Sequence, residues 1–155
     1  MELKILPKGS KFIVQDNKSR LLYTVKKKGF GAKFNLLDAS DYNLYTLAQT
    51  GDGRKPAFTI ILNDETFMTM TCKSLFLDPT IDAEGQGMKF SIASKDRKDF
   101  TIIKNDAAVG AIRTLPTMSG DLQYEIEIDN SAFDDYIPLF AVAIDRAFGD
   151  MNKNK

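Results

Sequence analysis

Apolar and polar residues alternate with a period of two along most of this chain, the pattern of strands with one buried face. The register is clearest from Leu122 to Asp129. Leu122, Tyr124, Ile126 and Ile128 fall on one side; Gln123, Glu125, Glu127 and Asp129 fall on the other. Met88, Phe90 and Ile92 alternate in the same way with Lys89 and Ser91. Similar runs occur at Glu2–Leu6, Lys11–Gln15, Leu21–Lys27, Lys33–Leu37, Leu44–Gln49, Ala57–Leu62, Thr66–Cys72, Ser74–Leu77, Asp99–Lys104 and Ala107–Arg113. The pattern predicts about twelve short strands with bounds good to ~2–4 residues. Between them stand turn formers such as Asp16-Asn17-Lys18-Ser19, Asp38-Ala39-Ser40-Asp41, Asn63-Asp64, Asn105-Asp106 and Ser119-Gly120-Asp121. Such short separations favour antiparallel hairpins over parallel α/β units.

The period breaks once, from Ala132 to Phe148 (AFDDYIPLFAVAIDRAF). Between Tyr136 and Ile144 no residue is charged, so a helix here is apolar on every side and must be buried all round. A ring of about twelve strands leaves a wide lumen, and a helix about 10–12 Å across can fill it. The expected fold is therefore mainly β, a closed antiparallel barrel around a central C-terminal helix. Asp134 and Asp135 suit the positive end of that helix and Arg146 the negative end. Pro138 fits only the first turn, and Gly149 reads as a stop. These signals set the helix at about residues 134–148, in a single domain over 1–149, with a frayed tail over 150–155.

Composition narrows the functional classes. The 155 residues hold 21 Lys and Arg against 21 Asp and Glu. No global basic field attracts nucleic acid, and any anion site must be a local patch. Nucleic acid is not an expected partner. Histidine is absent, which removes the Ser-His-Asp and Cys-His arrangements and the commonest zinc ligand. A non-enzymatic role without cofactor or metal is expected. Cys72, alone and in an alternating run with Met68 and Met70, reads as a buried structural thiol. The amino-terminal MELKILPKGS has no apolar run suited to a signal peptide, and the apolar helix is shorter than the ~20 residues that cross a bilayer. A cytoplasmic location follows as the expectation, while the sequence leaves the oligomeric state open.

One cluster stands out as a candidate site. Lys26-Lys27-Lys28 runs into Gly29-Phe30-Gly31-Ala32-Lys33. In an extended strand Lys26 and Lys28 share a face, Lys33 returns on the next strand, and the glycines expose backbone N–H groups. Lys26, Lys28 and Lys33 could grip an anionic headgroup while Phe30 dips into an interface. The bland alternative is an edge strand guarded by lysines. Arg54-Lys55 forms a second, smaller patch. The acidic stripe Glu125, Glu127, Asp129 reads as a solvated strand face, and Asp38-x-Ser40-Asp41-x-Asn43 as a turn without the glycine and glutamate of an EF-hand.

Four stretches carry a wider likeness: Phe12-Ile13-Val14-Gln15-Asp16, Leu22-Tyr23-Thr24-Val25-Lys26, Phe34-Asn35-Leu36-Leu37-Asp38 and Leu44-Tyr45-Thr46-Leu47-Ala48. In their rhythm of strand, turn and returning strand the chain resembles the tubby C-terminal-like superfamily, nearest its LURP-one-related branch of small bacterial and plant proteins. The resemblance implies a twelve-stranded barrel with a hydrophobic helix through it. Tubby proteins bind phosphoinositides through paired Lys and Arg on neighbouring strands, so it also implies an anionic phospholipid headgroup as ligand. The chain departs from the pattern in its first two hairpins, where Ser19 and Asp41 stand in place of the usual turn glycine. It also lacks the cysteine-rich and calcium-binding segments of the related scramblases. A binding or scaffold domain for a headgroup or a protein is the leading reading. A lipid-handling or hydrolytic enzyme using carboxylates and a purely structural protein are the alternatives.

Overall fold

The structure, a computed structural model, describes residues 1–29 and 31–153. Twelve strands are present among them: β1 (Glu2–Lys8), β2 (Lys11–Asp16), β3 (Leu21–Lys27), β4 (Lys33–Asp38), β5 (Asn43–Gly51), β6 (Ala57–Leu62), β7 (Glu65–Ser74), β8 (Thr80–Gly85), β9 (Met88–Ser94), β10 (Asp99–Lys104), β11 (Ala107–Pro116) and β12 (Leu122–Ile128). Each pairs antiparallel with its neighbours in sequence. β1 also pairs with β12, from Glu2 opposite Glu127 to Ile5 opposite Tyr124, and this closes the barrel. Closure leaves no unpaired edge, so the lysines of β3 do not guard one.

Local chemistry explains the turns. Ser19 and Asp41, standing where glycine would be usual, adopt positive φ of 63° and 65°. Each follows an aspartate that ties the loop. Asp16 Oδ1 accepts the N–H groups of Lys18 and Arg20 at 2.9 and 3.0 Å. Asp38 Oδ1 accepts those of Ser40 and Tyr42, both at 2.9 Å. The Asp38 segment is thus a side-chain-capped turn. Asn63-Asp64 and Asn105-Asp106 have positive φ at both positions, the two-residue hairpin geometry that matches strand twist.

The inward faces meet a helix, α1 (Pro138–Lys153), that runs through the barrel. Every residue from Leu139 to Ile144 is fully buried, as an all-apolar helix requires. Aromatic rings fill the space around it. Phe90 meets Phe140 at 5.1 Å between centroids, and Phe100 meets Phe148 at 5.5 Å. Cys72 is buried beside Met68 and Met70, with its Sγ donating to the Ser74 carbonyl at 3.3 Å.

Two expectations need correction. The helix begins at Pro138, its ring at the first helical position, and Asp134–Ile137 forms a separate turn closed by the Ile137 N–H on the Asp134 carbonyl at 3.1 Å. The helix then passes Gly149 and continues to Lys153. Gly149 is buried, and a Cβ there would lie 3.0 Å from Asp145 Oδ1, so glycine makes room for that carboxylate. Beyond it, Asn152 Nδ2 donates to the Arg97 carbonyl at 2.8 Å. Tertiary contact carries the last turn where local propensity ends it. The second correction concerns the strand expected at Ser74–Leu77. β7 ends at Ser74, residues 75–79 form a loop, and the strand is Thr80–Gly85. Asp82, Ala83 and Glu84 have low strand propensity and hid that strand. The apolar Leu75-Phe76-Leu77 run mimicked one.

Candidate functional site

Alternating hairpins send the loops to opposite ends of the barrel. The β1/β2, β3/β4, β5/β6, β7/β8, β9/β10 and β11/β12 loops gather around the C-terminal end of α1; the other five surround its N-terminal end. Charge segregates with them. Among the described residues, strand middles aside, Lys and Arg outnumber Asp and Glu roughly two to one at the first end and are outnumbered roughly three to one at the second. The neutral chain is therefore strongly polar along the helix axis. The arrangement also complements the helix dipole, which is negative at the basic end and positive at the acidic end.

The hairpin singled out in the sequence lies on the basic end. Lys26, Lys28 and Lys33 are all exposed, and the Lys28 N–H donates to the Lys33 carbonyl at 2.8 Å. Phe30, expected to dip into an interface, lies outside the described residues. Pairing adds two lysines that sequence reasoning missed. Lys26 stands opposite Lys11 on β2, and Lys11 opposite Lys8 on β1. By strand alternation all three share the outer face. Directly opposed like charges destabilise a sheet by a few tenths of a kcal/mol. Among the described residues none of these lysines has a carboxylate within 4.0 Å. The missed signal is register, which joins residues far apart in sequence. Arg54 and Lys55, in the β5/β6 loop, and Lys95 and Lys98, in the β9/β10 loop, lie on the same end.

Apolar side chains protrude there too. Phe76 and Leu77 in the β7/β8 loop are 68% and 85% exposed, and Met118 in the β11/β12 loop is fully exposed. The Arg97 guanidinium sits 5.7 Å from the centre of the Phe76 ring. At the acidic end Tyr42 is the most exposed large apolar side chain, without a comparable basic surround.

At the basic end, to one side of α1, a cleft of about 290 Å³ opens between the β1/β2 hairpin, β4, the β11/β12 loop and the last turns of α1. Lys27 alternates inward, away from Lys26 and Lys28, and stands opposite Phe34. Arg146 donates from Nε to Gln49 Oε1 at 3.0 Å and lies 5.6 Å over the Phe34 ring. Asp145 Oδ1 accepts the Tyr124 hydroxyl at 2.8 Å. Burial pushes the Asp145 carboxyl above the usual carboxylate range, against the pull of that hydrogen bond. At the other end the Tyr23 hydroxyl donates to Asp135, and burial chiefly raises Tyr23 far above its usual range. The acidic stripe of β12 is solvated, with Glu125 near Arg113 at 3.7 Å and opposite Lys4.

A closed twelve-stranded antiparallel barrel with a C-terminal helix through it is the tubby-like architecture. The chain belongs to the LURP-one-related family, whose model matches residues 2–145. Its fold is similar to the crystal structure of a protein from Arabidopsis thaliana, with a TM-score of 0.62 and 17% sequence identity over 97% of this chain and 90% of that one. A search of curated proteins finds no match. Among the described residues no helix is long and apolar enough to cross a membrane.

Proposed function

We propose that this LURP-one-related barrel is a non-enzymatic cytoplasmic binding domain that docks its basic end on an anionic phospholipid surface. The observation that carries the reading is the segregation of charge in a chain of zero net charge, with unpaired lysines clustered at one end. A neutral protein gains nothing from a negative surface on average, but a polar one is drawn in and oriented. In this reading Lys26, Lys28 and Lys33, joined by Lys8 and Lys11, meet headgroup phosphates, each contributing about 1 kcal/mol near the surface. Phe76, Leu77 and Met118 enter the headgroup boundary, where full burial of such side chains is worth about 1.5–3 kcal/mol each. The two contributions come from one end of the barrel, so they add in a single orientation.

Sedimentation with vesicles tests it. Binding is expected to phosphatidylcholine vesicles that carry phosphatidylserine or a phosphoinositide, and not to phosphatidylcholine alone. It should weaken steeply with salt. Lys26→Gln, Lys28→Gln and Lys33→Gln together should abolish it with the melting temperature nearly unchanged. Absence of wild-type binding at low ionic strength, or binding that survives the triple replacement, refutes the reading.

A further inference from the structure

We infer that the cleft at the mouth of the barrel, separate from the outward lysines, is a site for a single phosphate group held by Lys27, Arg146 and Lys153. The inference shares the basic end with the proposed function but rests on different side chains. Its first support is the direction of Lys27. Inward positions of a barrel wall are apolar here almost throughout, from Val25 on the same strand to Leu36 on the next. Lys27 is exposed at the rim, so its ammonium group stands over the mouth where an anion can meet it.

The second support is Arg146. Its Nε donates to Gln49 and its Cζ lies 5.6 Å from the centre of the Phe34 ring, so one edge of the guanidinium is engaged while both terminal nitrogens lack a carboxylate partner among the described residues. A guanidinium fork is the side chain best suited to two parallel hydrogen bonds with phosphate oxygens. Lys153 approaches from the last turn of α1. Ser10, at the tip of the β1/β2 hairpin, adds a hydroxyl donor.

The cleft's two carboxylates offset these cations only in part. Asp145 already accepts the Tyr124 hydroxyl. Asp121 reaches only Lys153, at 4.0 Å. Three cations therefore face two acids. A volume of about 290 Å³ is on the order of ten water volumes, room for a tetrahedral phosphate and the start of an ester substituent. The phosphate could come from a free small molecule or from a lipid headgroup, since the recognising chemistry is the same.

The test is a titration of the ¹⁵N-labelled full chain with inorganic phosphate at constant ionic strength, with chloride as the reference. Saturable shifts are expected at the amides of Ser10, Lys27 and Arg146. Arg146→Gln and Lys27→Gln should each weaken the affinity about tenfold, while the outward triple replacement of Lys26, Lys28 and Lys33 leaves it unchanged. No saturable shift at the cleft overturns the inference. So does an affinity untouched by both single replacements when each variant melts like the wild type. A second arm separates the sources. If saturating inorganic phosphate and Arg146→Gln both reduce binding to phosphatidylcholine vesicles containing a phosphatidylinositol phosphate, the headgroup enters the cleft. If vesicle binding is indifferent to both while the titration saturates, the cleft takes a free phosphate. Vesicle binding with no cleft titration leaves the proposed function standing and removes this inference alone.

Discussion

Replacing Leu139 with aspartate puts the central position of α1 to a quantitative test. Leu139 is fully buried within the barrel, as are its next five neighbours. Truncation alone, Leu139→Ala, removes apolar contacts and leaves a cavity at a cost of about 2–5 kcal/mol. Aspartate loses the same contacts and adds a carboxyl group with no partner in an apolar wall. Held neutral at pH 7, about three units above its ordinary pKa, it costs a further ~4 kcal/mol, and burying the neutral acid costs about 1–3 kcal/mol more. The sum is on the order of 10 kcal/mol, comparable to the whole stability of an ordinary domain. Leu139→Asp should be insoluble or molten at pH 7, whereas Leu139→Ala should fold with a lowered urea midpoint. The sign with pH is fixed. A buried Asp has a raised pKa in the fold, so its relative stability is highest below the unfolded value near 4 and is lost as pH rises. Circular dichroism melts should therefore show the aspartate variant closest to the alanine variant near pH 4. A soluble Leu139→Asp protein with the wild-type melting temperature at pH 7 would refute a helix inside the barrel.

The remaining predictions follow from individual side chains. Cys72 is buried and burial pushes its thiol pKa up, so Ellman's reagent should react slowly with native protein and fully in denaturant; fast native labelling would overturn the inward register of β7. Burial holds the Asp145 carboxyl above its usual range, so its contribution to stability is greatest below pH 3.8 and declines as pH rises through the folded value. Asp145→Asn, which still accepts the Tyr124 hydroxyl, should raise the melting temperature at pH 7 by an amount that shrinks toward pH 4; a loss at pH 7 would contradict this. Phe76→Ser, Leu77→Ser and Met118→Ser together should weaken binding to anionic vesicles at least tenfold while changing stability by only about 0.5 kcal/mol per site, because these side chains touch little of the core. A Cβ at Gly110 would lie 2.3 Å from the Glu127 carbonyl oxygen, so Gly110→Ala should lower the melting temperature clearly, and an unchanged melt would contradict the close approach of β11 and β12.

The barrel was legible in the sequence because two periods carry it. Alternation marks inward residues such as Tyr124 and Ile126, and the unbroken apolar run through Leu139–Ile144 marks a helix with no solvent face. What was not legible depended on tertiary contact. Nothing local extends α1 past Gly149; the hydrogen bond from Asn152 to the Arg97 carbonyl does. Nothing local distinguishes Leu75-Phe76-Leu77 from a strand, because the run has a strand's composition and a loop's place. The candidate site divided in the same way. Lys26, Lys28 and Lys33 are adjacent in sequence and were visible. Lys8 and Lys11 join them only through register, and Arg146 and Lys153 reach the same end only because the helix passes through the barrel.

Orientation on a lipid surface is the central claim, and the chain offers a clean way to measure it because it contains no tryptophan. Leu77→Trp places a single reporter on the basic end, and Tyr42→Trp places one on the acidic end. With vesicles of phosphatidylcholine and phosphatidylserine at low ionic strength, tryptophan emission from Leu77→Trp should shift to the blue and be quenched by brominated lipid, while Tyr42→Trp should show neither change. A blue shift confined to Tyr42→Trp, or no response from either reporter, would contradict docking through the basic end.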